Sequence, residues 1–216
     1  MRCLPANRSP NEILKTSEIK KGGLMTRKET TAFLSRLLER DKLKGMGKYW
    51  AKEVTLDYGK SEMVDDTIKS KTRRIDYLQF IPKNQLSVSG LEKGEFVCYE
   101  VKSCKEDFLS GHGQNFIAEK NYLVMTMETY KDLESAGEIQ KLPYNIGILI
   151  AMPLFKKYRD DKFKTEYDDP TQYKDFDDID CWYLDTIKKS HSKNREKSIT
   201  ELLFCMVRSL NTLIND

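Results

Sequence analysis

The sequence predicts an α/β (or α+β) fold with a central mixed β-sheet flanked by helices. Two apolar segments, residues 73–80 (RRIDYLQF) and 95–104 (EFVCYEVKSC), have the composition of adjacent strands. Stretches of helical spacing stand before, between and after the strand-like ones. The order reads helix, short strand, strand, strand, helix, strand, helix, strand, helix, a layered arrangement around one sheet. With 216 residues the chain can bury one sizeable core. We read residues 25–216 as a single domain behind a poorly ordered polar extension, residues 1–24.

The extension holds two prolines and ends in Lys20-Lys21-Gly22-Gly23 just before Met25. That junction reads like a translated ribosome-binding site, which would make Met25 the natural start. Thr26 and Glu29 form a capping-box pattern, and Phe33, Leu34, Leu37 and Leu38 follow at helical spacing, so an amphipathic helix is expected to end near Gly45. Residues 49–56 read as a further helical turn running into a short strand. Between the two organising strands lies a linker rich in Gly, Ser and Lys. After them, residues 105–110 form a short amphipathic segment stopped by Gly111-His112-Gly113.

Further on, residues 122–127 read as a buried strand, 128–135 as a short helix, and 146–152 as a strongly apolar strand ended by Pro153. Residues 156–180 are dense in charge and aromatics, with acidic pairs at Asp160-Asp161, Asp168-Asp169 and Asp177-Asp178. Their spacing lacks the order of a calcium loop, so a solvated hairpin is expected. A basic run, Lys188, Lys189, His191, Lys193, Arg195 and Lys197, precedes a last helix over residues 198–214. There Ser198 and Glu201 repeat the capping-box pattern, and Leu202, Cys205, Met206, Val207, Leu210 and Leu213 make a broad apolar face.

Charged residues make up 33% of the chain, but 37 Lys and Arg against 34 Asp and Glu leave only +3. A polyanion partner must therefore be held by local patches rather than by net charge. The longest apolar run, 146–155, is too short to span a bilayer and no stretch has the order of a signal peptide, so a soluble, cytoplasmic protein is expected, with no membrane partner. Five cysteines without a C-x-x-C pair read as reduced, mostly buried thiols rather than a zinc site.

In strand geometry Glu100 and Lys102 share a face. A second acid, Asp76, interrupts the apolar segment before them, where burial demands a partner. Alone, a Glu-x-Lys triplet means little: Glu18-Ile19-Lys20 in the polar extension matches it equally well. Only Glu100-Val101-Lys102 ends an apolar strand, follows an acid-bearing strand and precedes a helix-like segment.

In that context Asp76, then Glu100-Val101-Lys102, with Glu53 upstream, resembles the active-site signature of the PD-(D/E)XK nuclease superfamily. The stretch from Lys52 to Leu109, with its run EVKSCKEDFL, is similar to small DNA-repair and phage endonucleases of that superfamily. Arg74-Ile75 in place of the motif's proline, and Tyr77 after the acid, depart from the nominal pattern.

The resemblance implies a restriction-endonuclease-like core that hydrolyses phosphodiester bonds in DNA with Mg²⁺ (or Mn²⁺). Asp76 and Glu100 would hold the ion together with the main-chain carbonyl of Val101. Glu53 would bind the metal or its water, or act as a base. Lys102 can orient or help deprotonate the attacking water. His112, Gln114, Asn115 and Lys120 in the following segment are candidates for phosphate or water contacts, with Gln114 the best of them. Lys69, Lys71, Arg73 and Arg74, and the run 188–197, are the candidate sequence-independent DNA grips. A DNA-binding or regulatory module that keeps the fold without cleaving is the alternative, and a homodimer or a partner protein is compatible with either.

Overall fold

The computed structural model describes residues 25–64, 67–154 and 176–215. The extension 1–24, with its Glu18-Ile19-Lys20 triplet, lies outside the described residues, as does most of the charged stretch 156–180.

Helix α1 (Arg27–Leu38) begins as its sequence demands. Thr26 Oγ1 accepts from the Glu29 amide, and the Glu29 carboxylate accepts from the Thr26 amide at 2.7 Å. A π-helical turn (Glu39–Leu43) extends α1 before Gly45. Next come strand β1 (Tyr49–Leu56), a ribbon of β2 (Ser61–Val64) and β3 (Thr67–Ser70), strand β4 (Arg73–Ile81), a short α2 (Val88–Glu92) and β5 (Glu95–Lys102). Then follow α3 (Lys105–Leu109), β6 (Lys120–Thr126), α4 (Met127–Ser135), β7 (Ile146–Pro153), β8 (Trp182–Lys188) and α5 (Ile199–Asn215). Residues 49–56 are strand throughout, and α2 interrupts the linker between the two organising strands. The β2–β3 ribbon and β8 fall where no element was assigned, β8 ending at Lys188, where the basic run begins.

The fold is mixed α+β, with one six-stranded sheet in the order β1-β4-β5-β6-β7-β8. Strands β1, β4 and β5 form an antiparallel meander, β5, β6 and β7 run parallel, and β8 returns antiparallel. The parallel core strands read as continuous apolar runs because both faces are covered. On one face Phe33, Leu34, Leu37 and Leu38 of α1 pack against Val97, Tyr99, Val101 and Val124. On the other face Leu202, Cys205 and Met206 of α5 cover Ala51, Leu78, Phe96 and Cys98, while Phe108 and Leu133 cover Leu123, Ile148 and Ile150. Leu213, assigned to the α5 apolar face by spacing, has its side chain outside the described set.

Among the described residues no helix is long and apolar enough to cross a membrane. Cys98, Cys104, Cys181 and Cys205 are free thiols, and burial pushes the Cys98 thiol up to about 12, which makes it inert.

The sheet breaks its rhythm at one place. In a regular strand, residues an odd number apart face opposite sides. Yet Ala51 and Val54 on β1, and Ile75 and Leu78 on β4, belong to the same core cluster. Both strands therefore change face at the same level, where Glu53 and Asp76 stand. Glu53 takes a left-handed backbone (φ 51°) and drops out of the β1–β4 pairing between Lys52↔Tyr77 and Val54↔Ile75. Beside it, the β4–β5 ladder runs from Ile81↔Glu95 only to Tyr77↔Tyr99, although both strands continue. Past that pair β4 and β5 part company, and the gap between them holds the candidate site.

Candidate active site

Asp76, Glu100 and Lys102 converge where β4 and β5 separate. The Asp76 carboxylate reaches across the gap and accepts from the Val101 amide at 2.9 Å, taking the place of the missing main-chain partner. Glu100 and Lys102 lie on the same face of β5, as alternation requires, with Lys102 Nζ 3.2 Å from Glu100 Oε1. Both are deeply buried, at 6% and 2% exposure. Lys102 Nζ also donates to the His112 carbonyl at 2.5 Å.

The turn after α3 makes that contact possible. Gly113 has φ +76°, and a Cβ built there would stand 1.6 Å from Glu100 Oε1, so only glycine lets the loop lie on the carboxylate. Asn115 Nδ2 donates to the Arg74 carbonyl at 2.7 Å and ties the same loop to the freed end of β4.

Burial and crowding of like charge set the electrostatics. The Glu100 carboxyl is pushed up to about 8, first by burial and then by the neighbouring Asp76 charge, against the pull of Lys102. Asp76 is also raised, chiefly by burial and further by Glu53, although the Val101 amide and Lys102 oppose the shift. Glu53 stands at the rim, half-exposed, with Arg74 Nε 2.7 Å from its carboxylate.

These groups form the floor of a cleft of about 920 Å³. One wall is α1, through Arg27, Lys28, Thr31 and Ser35; the other is Thr72, Arg73, Arg74 and the loop Gly111–Gly113 with Asn115. Lys52 and Tyr77 lie beneath α1. Six cations and four carboxylates line it: Arg27, Lys28, Lys52, Arg73, Arg74 and Lys102, against Glu53, Asp76, Glu100 and Asp107.

The cleft thus gathers Glu53, Asp76, Glu100, Val101, Lys102, Arg73, Arg74 and His112 from the sequence-derived set. It does not gather all of them. The Gln114 side chain turns inward and donates to the Phe108 carbonyl at 2.6 Å, while its neighbour Asn115 faces the cleft. Lys120 begins β6, across from Val97, and pairs with Glu95 at the far end of β5. Lys71 sits at the exposed base of the β2–β3 ribbon.

Much of the basic run 188–197 is bound internally. Arg195 pairs with Glu119, Lys197 with Asp57 and Glu201, and Lys193 with Glu196. Arg73 also spends its guanidinium on Asp57 and Glu196.

Residue spacing missed Arg27, Lys28, Lys52 and Asp107, and ranked Gln114 above Asn115, the one of the two that lines the cleft. One signal was available: Arg27 and Lys28 occupy the first turn of a helix, where the macrodipole disfavours cations.

Among the described residues no group of three or more His, Cys, Asp and Glu side chains is gathered closely enough to hold a metal. The carboxylates that an ion at this floor would meet are those of Asp76 and Glu100, with Glu53 at the rim. That set suits a hard ion such as Mg²⁺, which binds through one or two carboxylates and otherwise through water and substrate oxygens, and does not suit zinc. No family model, curated protein or solved structure matches the chain. The likeness to the PD-(D/E)XK superfamily rests on the residues themselves.

Proposed function

We propose that the chain is a divalent-metal-dependent phosphodiesterase, and more particularly a nuclease of PD-(D/E)XK type acting on DNA. The observation that carries this reading is the pair of carboxylates, half-buried Asp76 and buried Glu100, each raised above its ordinary range, beside a buried lysine at the floor of an open cleft. Burial and mutual repulsion keep a proton on Glu100, and a divalent cation that displaced it would leave both carboxylates ionised and neutralise the charge they then carry beyond that of Lys102.

Asp76 and Glu100 would hold Mg²⁺ or Mn²⁺, with the Val101 carbonyl as the ligand the family resemblance adds. Bound there, the ion supplies neutralisation of the phosphate and a more acidic water. Lys102 has three N–H donors, two of which go to Glu100 and His112, so one remains for the attacking water or the phosphate. Its fixed position costs nothing to reorganise as negative charge develops. Glu53, at the rim, accepts a proton or holds a water, and Arg74, released from Glu53, meets a phosphate.

Incubation with plasmid, single-stranded and branched DNA, in Mg²⁺ or Mn²⁺ and then in EDTA, tests the reading. Cleavage is expected with metal and not with EDTA, and it is expected to vanish in Asp76→Ala and Lys102→Ala. Metal-dependent cleavage that persists in both variants would refute the site. Absence of cleavage on every substrate returns the protein to the class of non-catalytic DNA-binding modules.

A further inference from the structure

Helix α1 has two jobs written on opposite faces. Thr30, Phe33, Leu34, Leu37 and Leu38 are buried in the core, whereas Arg27, Lys28, Thr31 and Ser35 line the cleft. The cleft face carries no acid: Glu29, the one carboxylate in the first turn, is folded back onto the Thr26 amide and hydroxyl. Cations in a first turn work against the helix dipole, and the chain places two of them there in succession.

Carboxylates hold Arg27, and Lys52 below it, in place, while Lys28 is exposed beside them. Arg27 is 65% exposed, yet its Nη2 lies 3.0 Å from Asp107 Oδ1. The other oxygen of Asp107 accepts from the Ser103 amide at 3.1 Å and from Ser103 Oγ at 3.0 Å. One carboxylate therefore aligns Arg27 with the residue that follows Lys102. Lower on the same wall Lys52 is held by Glu39 at 2.5 Å and lies over the Tyr77 ring at 5.6 Å, and Tyr77 donates to the same Glu39 oxygen at 2.8 Å. A cation oriented by a carboxylate behind it, with its remaining donors toward open solvent, is built to meet an anion.

We infer that the α1 wall is a second phosphate subsite, in which Arg27 and Lys28, with Lys52 below them, hold a backbone phosphate of the nucleic acid other than the one that is cut. The inference rests on the nuclease reading above and adds to it a direction: the strand crosses the floor from the α1 wall toward Arg74 and Asn115. Asp107 is a positioning residue, acting through Arg27.

Salt-dependent binding tests this without cleavage. A fluorescein-labelled DNA oligonucleotide, single-stranded and duplex, is titrated with the full chain in Ca²⁺ at several NaCl concentrations, for wild type and for the double variant R27A/K28A. Each lost phosphate contact lowers the slope of log affinity against log salt by about 0.7–0.9, so the double variant should lose about 1.5 in slope. In cleavage assays its KM should rise about tenfold or more, with a far smaller change in kcat. R27K/K28R, which keeps both charges, should restore the slope. Thermal unfolding separates a binding role from a structural one, because removing two cations from a first turn should leave the melting temperature equal or higher.

An unchanged slope and KM in R27A/K28A, alongside normal cleavage by wild type, overturns the subsite and leaves the nuclease reading standing. Wild type that neither binds nor cleaves these DNAs overturns both.

Discussion

Replacing Glu100 with glutamine perturbs the charge of the site and little of its shape. The folded protein keeps a proton on this carboxyl up to about pH 8, whereas the unfolded chain releases it near 4.5. Between those values the folded state binds more protons, so its stability falls as pH rises; below 4.5 and above 8 this group contributes no further slope. At about 1.4 kcal/mol per unit, going from pH 6 to pH 8.5 should cost wild type about 2.5 kcal/mol through Glu100 alone.

Glutamine cannot ionise, and its carbonyl still accepts from Lys102. Urea unfolding in EDTA at the two pH values should show wild type losing about 2.5 kcal/mol more than Glu100→Gln. In saturating Mg²⁺ the two should converge, because an ion that binds the carboxylate displaces the proton. Equal pH dependence of the two proteins in EDTA would refute the electrostatic account of the site.

Asp57 behaves in the opposite sense. Lys197 first, then Lys60 and Arg73, hold its carboxyl well below the ordinary range against the cost of burial, so its contribution is present at neutral pH and lost in acid. Asp57→Asn should cost about 2–3 kcal/mol at pH 7 by urea unfolding, and the variant should lose less than wild type between pH 5 and pH 2. Gly113→Ala should destabilise the loop and abolish cleavage, since its Cβ meets Glu100, whereas Gly111→Ala, at φ +70° with open space around it, should cost only about 1–2 kcal/mol of backbone strain. Asp76→Asn and Asp76→Ala should both be inactive, but only the alanine variant should lose about 1–3 kcal/mol, because the asparagine carbonyl still accepts from Val101.

Where local chemistry decides conformation, the sequence was legible. Thr26 and Glu29 start α1, Ser198 accepts from the Glu201 amide at the head of α5, and the apolar runs at Ile146 and Phe96 became core strands. Glu100 and Lys102 were readable because period-two alternation holds along β5.

The same rule misled elsewhere. At Tyr49–Leu56 the face change at Glu53 breaks alternation, so a full strand looked like a helical turn with a short strand after it. Gln114 and Asn115 are adjacent polar residues in a glycine-bounded turn, and only the positive φ of Gly111 and Gly113 decides which one faces the cleft. Arg195 and Lys197 in the basic run looked free to grip DNA because two of their partners, Glu119 and Asp57, lie far away in sequence. Long-range ion pairing leaves no local trace.

The parting of β4 from β5 has a wider consequence. Sheets gain from every rung of their ladder, and here the rungs beyond Tyr77 and Tyr99 are forgone; side chains from Asp76 and Asn115 stitch the seam instead. A chain that zipped Ile75 against Val101 would hold a more regular sheet, yet it would lose the opening into which a strand of nucleic acid could descend. The fold therefore keeps a deliberate incompleteness at its centre, and substitutions chosen only to stabilise this sheet would be drawn toward closing it.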